Sequence, residues 1–140
     1  MLEIRVFNEA DEPAVAALWR EVFPSEGGHN DPPRAIRDKL AYQRELFFVA
    51  VADGAVGGTL MAGYDGHRGW LYRVAVDPRH QRQGVGAALV RHAEAQLLAR
   101  GCPKINLQVL ATNAAVVAFY EKLGYRVEER VSMGKRLPLS

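Results

Sequence analysis

The 140-residue chain is poor in the features that would tie it to a membrane, a metal cluster or a nucleic acid. It has one cysteine, Cys102, which excludes an internal disulfide and a cysteine-based metal cluster. Cys102 follows Gly101 at a helix end and reads as structural. No apolar run approaches the ~20 residues that a membrane-spanning helix needs. The opening Met-Leu-Glu-Ile-Arg-Val lacks the basic and then apolar pattern of a secretory signal. A formal charge of +2 is too small to argue for a nucleic-acid partner. Internal repeats, low-complexity tracts and a linker are all missing. The expectation is a cytoplasmic protein, one domain over residues 1–140, with no membrane, nucleic-acid or metal partner.

What is present is enough for a core, since 49% of the residues are hydrophobic. Residues 2–7 alternate and read as a strand. Asp11 is placed to cap a helix with Pro13 in its first turn, and Val15, Leu18, Trp19 and Val22 share one face of that helix. A loop follows over residues 24–33, then a second helix over about 34–43. Residues 46–52 form a buried-looking strand, Asp53-Gly54 a hairpin turn, and residues 55–64 the returning strand. Gly57, Gly58 and Gly63 weaken that strand and predict bulges. Residues 70–76 form a central strand. A helix from about Gly84 carries Val85, Leu89, Ala93 and Leu97 on one stripe and stops at Gly101. Residues 104–110 read as a strand, Asn113 as the cap of a last helix ending at Gly124, and residues 125–137 as two short strands. The order βααβββαβαββ predicts a mixed sheet with helices on both faces, of the α/β or α+β kind.

The richest passage runs from the central strand through Asp77-Pro78 and the basic turn Arg79-His-Gln-Arg-Gln83 into Gly84-Val-Gly86. A strand, a glycine turn and a helix N-terminus in succession suit a phosphate. Glycine lets an anion approach the backbone, and the first helical turn offers unpaired N–H groups and the positive end of a dipole. No Gly-Lys-Ser/Thr follows, which excludes a Walker A loop. Leu89 stands where the dinucleotide fingerprint needs its third glycine. Arg79, His80 and Arg82 cluster where an anionic ligand would sit.

The pattern Gln81-x-x-Gly84-x-Gly86 resembles the coenzyme A pyrophosphate loop of the GCN5-related N-acetyltransferase (GNAT) superfamily. A second passage, Asn113-Ala-Ala-Val-Val-Ala-Phe-Tyr120-Glu-Lys-Leu-Gly124-Tyr125, is similar to that superfamily's other signature, an Asn, a Tyr seven residues on, and a Gly-aromatic pair four residues beyond. The whole-chain pattern is similar to a small bacterial branch, the YpeA-like acetyltransferases. It shares Glu3-Ile-Arg-Val-Phe7, Asn30-Asp-Pro32, Gly63-Tyr-Asp-Gly-His-Arg-Gly69, Arg100-Gly-Cys-Pro-Lys-Ile105 and Met133-Gly-Lys-Arg-Leu137. The motifs also resemble ribosomal-protein-alanine N-acetyltransferases.

The resemblance implies a GNAT fold whose central strand pair splays, and acetyl-CoA as cosubstrate without a metal. It implies that the backbone of Val74, Ala75 and Val76 pairs with the pantetheine arm and that an N–H there polarises the thioester. It implies that N–H groups in the motif Gln81, Arg82, Gln83, Gly84, Val85, Gly86 and Ala87 hold the pyrophosphate. Arg79 or Arg82 would meet a phosphate by charge. Asn113 would cap its helix and touch the pantetheine, and the Tyr120 hydroxyl would face the cofactor sulfur. Periodicity alone puts Tyr120 in the core, with Val116, Phe119 and Leu123.

The ribosomal-protein branch has a Glu as proton acceptor where this chain has Gln108, and an amide takes no proton at neutral pH. Asp65, His67, Tyr72 and Asp31 are the remaining candidates for a base. Asn30, Asp31 and residues 64–67 are candidates for the acceptor pocket. The expected activity is acetyl transfer from acetyl-CoA to a primary amine, an unidentified small amine or peptide α-amine, by direct attack in a ternary complex. The alternative is an acyl-CoA-binding or sensing protein with little catalysis. The expected assembly is a monomer or a homodimer.

Overall fold

The structure, a computed structural model, describes residues 1–24 and 28–138. Part of the loop expected over 24–33, residues 25–27, lies outside the described residues. The chain divides into two compact units, Met1–Leu107 and Gln108–Ser140. Among the described residues the first holds five strands in sequential order: β1 (Leu2–Val6), β2 (Phe47–Ala52), β3 (Ala55–Tyr64), β4 (Gly69–Val76) and β5 (Ile105–Asn106). Neighbours pair antiparallel from β1 to β4, and β5 runs parallel to β4. The same unit carries the helices α1 (Glu12–Val22), α2 (Pro32–Leu40) and α3 (Val85–Ala99). This is the expected mixed α/β class.

Strand alternation separates the two faces. Phe47 and Val49 join Val15, Leu18 and Trp19 of α1 and Ile36 of α2 in one apolar cluster. The intervening Phe48 stacks edge-on against His92 of α3 at 4.7 Å. Helices therefore cover both faces, α1 and α2 on one and α3 on the other. The stripe read from the sequence, Val85, Leu89, Ala93 and Leu97, is wholly buried. Gly58 lets α3 come close: a Cβ there would lie 2.8 Å from Val85 Cγ1 and 3.0 Å from the Ala75 carbonyl.

Two turns follow their sequence signals. Asp53 and Gly54 both take positive φ, 52° and 84°, as a two-residue hairpin turn needs. The register slips at Gly57, so the glycine-rich strand does bulge. Helix α1 starts where expected, directly after Asp11 with Pro13 in its first turn, but without the expected side-chain cap. Asp11 precedes Glu12 but makes no capping bond to α1. Its carboxylate instead accepts two bonds from Arg5, at 2.8 and 2.9 Å, and one from the Asn8 N–H. Asn8 caps the short 3-10 turn before it. The Asp11 carboxylate thus joins the ion pair with Arg5 to a reciprocal cap with Asn8 on the 3-10 turn.

The second unit contains α4 (Ala114–Lys122). Two expectations fail around it. The strand expected over 104–110 shrinks to β5, and residues 125–138 carry no strand, although Gln108 donates a hydrogen bond to Ser132 Oγ. Alternating apolar residues suggest a strand, but a strand exists only where a partner takes its hydrogen bonds. Here Val127, Val131, Met133 and Leu137 stay exposed, so no burial rewards the pairing.

Candidate cofactor and acyl-transfer site

The turn into α3 is built from its residues upward. Asp77 Oδ1 accepts the Arg79 N–H at 2.9 Å and caps the 3-10 turn Pro78–His80. The Arg79 guanidinium closes back on the same carboxylate at 2.9 and 2.8 Å, with Glu21 at 3.8 Å. Arg79 beside it holds the Asp77 carboxyl below its ordinary range. Of the two arginines expected to meet phosphate, Arg79 is therefore already paired. Arg82 sits in the left-handed region at φ 71°, and Gly84 follows at 77°. A Cβ at Gly84 would touch nothing within 4 Å, so the backbone angle alone selects glycine there.

The α3 N-terminus has no side-chain cap and no acidic residue in its first turn. The Ala88 N–H reaches the Gly84 carbonyl at 3.0 Å, so the N–H groups of Val85, Gly86 and Ala87 precede the first intrahelical bond. Gln81, Arg82, Gln83 and Gly84 are exposed, while Val85 and Gly86 are buried. The result is a solvent-facing turn of backbone donors with positive character, suited to a pyrophosphate.

Strand β4 leads into this turn and supplies the second element. It pairs with β5 only at Gly69↔Ile105 and Trp70↔Asn106. From Leu71 to Val76 that edge has no strand partner among the described residues. An extended ligand can add to such an edge through its amides. On the other edge the register steps from Met61↔Tyr72 to Thr59↔Ala75, so Arg73 and Val74 together oppose Leu60. This is a β-bulge, and Arg73 occupies it at φ 50°.

In the second unit, Asn113 Oδ1 accepts the Val116 N–H at 3.2 Å, which makes it the expected cap of α4. Tyr120 is buried, with its ring edge-on to Phe119 at 5.0 Å and Tyr125 at 5.6 Å. Burial pushes its hydroxyl up to about 12. Gln108 is exposed.

On the α1/α2 face of the first unit a cavity of about 340 Å³ opens between Tyr42, Tyr64, Trp70 and Tyr72, with Lys39 and Asp65 at its wall. Lys39 Nζ donates to the Ala62 carbonyl at 2.5 Å, and its burial lowers its pKa. The base candidates fare unequally. Asp65 accepts the N–H groups of Arg68 and His67, each at 2.8 Å, and those bonds lower its pKa. It serves the turn, as its sequence context suggests. Tyr72 lines the cavity, and burial raises its hydroxyl. Asp31 begins α2 through its backbone, with its carbonyl accepting the Ala35 N–H at 2.8 Å. Among the described residues no group of three or more His, Cys, Asp or Glu is arranged to hold a metal. Among the same residues no helix is long and apolar enough to cross a membrane.

Sequence reading missed Arg73 and the bulge, because a positive φ in a strand signals itself through glycine. It also missed the aromatic cavity, whose walls come from α2, β3 and β4 and share no local pattern.

Comparison with known proteins supplies the frame for these elements. The profile of the acetyltransferase (GNAT) family matches residues 13–125. An acetyltransferase of Yersinia enterocolitica is 44% identical over 136 residues, covering 97% of this chain and 96% of its own. One from Sodalis glossinidius is 45% identical over 137 residues, again covering 97% and 96%. Among solved structures, the ribosomal-protein-S18-alanine N-acetyltransferase of Escherichia coli matches with TM-score 0.73 and 30% identity, over 89% of this chain and 77% of that one. Ard1 from Thermoplasma volcanium has the same fold, with TM-score 0.81 at 24% identity over 91% and 84%.

Proposed function

Because the chain belongs to the GNAT family and is an acyl-CoA-dependent N-acetyltransferase, we propose that it moves an acetyl group from acetyl-CoA to a primary amine by direct attack. The observation that carries the reading is the juxtaposition on β4 and α3. A strand edge that has no strand partner over Leu71 to Val76 among the described residues runs straight into a helix N-terminus without a side-chain cap. Val74, Ala75 and Val76 take the pantetheine amides, and the N–H groups from Arg82 to Ala87 take the pyrophosphate. Arg82 adds charge, since Arg79 is held by Asp77. The Val74 N–H polarises the thioester carbonyl. Asn113 touches the pantetheine, and Tyr120 donates a hydrogen bond to the leaving sulfur. The whole of residues 1–140 acts as one catalytic domain, a reading supported by a family match that crosses from one compact unit into the other.

The aromatic cavity beside Tyr72 takes the acceptor. It lies on the α1/α2 face, and Tyr72 is two residues from Val74, about 7 Å along a strand. The likeness to an alanine N-acetyltransferase of ribosomal protein S18 supports a peptide α-amine as the leading acceptor class, with small amines second.

Calorimetric titration with acetyl-CoA tests the cofactor site. Wild type should bind, and Gly86→Glu, which brings a carboxylate against the pyrophosphate, should not. Binding unaffected by Gly86→Glu would remove the pyrophosphate assignment. Thiol release with a panel of amines separates an enzyme from an acyl-CoA sensor, because a sensor binds without turnover.

A further inference from the structure

The bulge in β4 is held by a connected set of contacts. Trp19 of α1 donates its Nε1–H to Thr59 Oγ1 at 2.8 Å. Thr59, fully buried on β3, donates its own hydroxyl to the Arg73 carbonyl at 2.9 Å. The Arg73 guanidinium lies over the Trp19 ring at 4.8 Å and the Phe23 ring at 5.0 Å. Its Nη2 donates to the Asn30 carbonyl at 2.8 Å, in the connection between α1 and α2. A residue with a long side chain at φ 50° is held against its own preference, and such conformations persist only where surroundings over-determine them. Here the carbonyl is fixed from β3, and the side chain is fixed from α1 and the segment after it.

We propose that Arg73 is a positioning residue for acyl transfer, clamped by Thr59, Trp19 and Asn30 so that the next N–H, that of Val74, is aimed at the thioester oxygen. The inference rests on the acetyl-transfer reading above. It adds a consequence: the segment at Asn30, on the acceptor-facing side, is tied through one side chain to the strand that polarises the acyl group. A glycine would relieve the backbone angle and lose the clamp. Lysine would keep the charge and lose both the planar stacking and the fork.

The test reads the carbonyl itself. Acetyl-CoA carrying a ¹³C carbonyl is bound to the protein, and its infrared stretch is compared with that of the free thioester. A hydrogen bond lowers the frequency. Wild type should show a clear downshift. Arg73→Met and Thr59→Val should bind acetyl-CoA with little change in Kd, lose most of the downshift, and lower kcat at least ~10-fold with KM for acetyl-CoA nearly constant. Thr59→Ser should restore both. Folding is followed by circular dichroism, and the isosteric Thr59→Val carries the test if Arg73→Met does not fold. A wild-type downshift retained in the folded variants would overturn the positioning role while leaving acetyl transfer standing. Failure of wild type to bind acetyl-CoA would overturn the acetyl-transfer reading and this inference with it.

Discussion

Replacing Tyr120 with Phe removes one hydroxyl and keeps the ring whose edge-on contacts with Phe119 and Tyr125 pack α4. The effect on rate can be worked from the acidity of that hydroxyl. Burial raises it to about 12, and a simple thiol ionises near ~8.5, so handing a proton to the departing thiolate is uphill by about 5 kcal/mol. A formal acid role at neutral pH is therefore disfavoured. The proposed role is then a hydrogen bond to the developing thiolate, and a bond to a charged partner contributes ~1.5–3 kcal/mol. Tyr120→Phe should accordingly lower kcat roughly 10- to 150-fold. The Kd for acetyl-CoA should barely move. The pH profile follows with its sign: Tyr120 stays protonated until the pH nears 12, so activity rises as the amine loses its proton and shows no falling limb from Tyr120 below pH ~10. Stopped thiol-release assays from about pH 6 to 10 on both proteins measure this. Full activity of the variant refutes the role. A falling limb near pH ~9 present only in the wild type refutes the hydrogen-bond argument in favour of true proton transfer.

Three further outcomes are expected. Gly58→Ala should lower the melting temperature more than Gly84→Ala, because the first pushes a Cβ to 2.8 Å from Val85 Cγ1 while the second meets open space and costs only the left-handed backbone, about 1–2 kcal/mol; equal losses would sink the packing argument. Asp11→Asn should cost about 1–3 kcal/mol in urea unfolding at pH 7. The hydrogen bonds from Arg5 hold the Asp11 carboxyl below its ordinary range, so its stabilisation is present above about pH 4 and lost as the pH falls below it, and the two proteins should converge in acid. Gln108→Glu, which puts a carboxylate where the resemblance to ribosomal-protein-alanine N-acetyltransferases implies one, should raise the rate on an α-amine at pH 7 by up to ~10-fold, the factor by which such an amine is short of free base; no gain would count against a proton-accepting role for that position.

How much of this was legible depends on whether the signal is local. The Asp53-Gly54 turn, the α3 stripe and the Asn113 cap are each decided within a few residues, and each stands where the sequence puts it. The phosphate turn was visible as a motif, but not that Asp77 would occupy Arg79, since two neighbouring opposite charges look the same whether they face each other or solvent. The missing side-chain cap of α1 has a related reason. Asn8 and Asp11 both suit a cap, and only the presence of Arg5 across the turn decides that Asp11 forms an ion pair. Residues 125–138 show the converse failure. Their apolar alternation is real, yet pairing is a property of two segments, and one segment's pattern does not contain it. Arg73 lies furthest from sequence reading, because its conformation is imposed by Thr59, Trp19 and Asn30, all of them distant in the chain.

The choice of acceptor follows from which groups near the cavity can take a proton. Asp65 is the carboxylate at its wall, and its bonds from the Arg68 and His67 N–H groups lower its pKa, which makes it a weak base. Burial raises the Tyr72 hydroxyl, so the phenolate that could serve as a base is scarce at neutral pH. Lys39 is turned to the Ala62 carbonyl. If the cavity takes the acceptor as proposed, it supplies so little basicity that the amine must arrive deprotonated. An α-amine of pKa ~8 needs about 1.4 kcal/mol for this at pH 7, and a lysine amine of pKa ~10.4 requires about 4.6 kcal/mol. A pair of short peptides, one with a free α-amine and acetylated lysine, the other with an acetylated terminus and free lysine, separates the classes. The α-amine should react up to ~200-fold faster at pH 7, and the ratio should shrink as the pH approaches ~10. Equal rates at neutral pH would show that the protein supplies a base to the lysine amine, and the acceptor assignment would have to be abandoned.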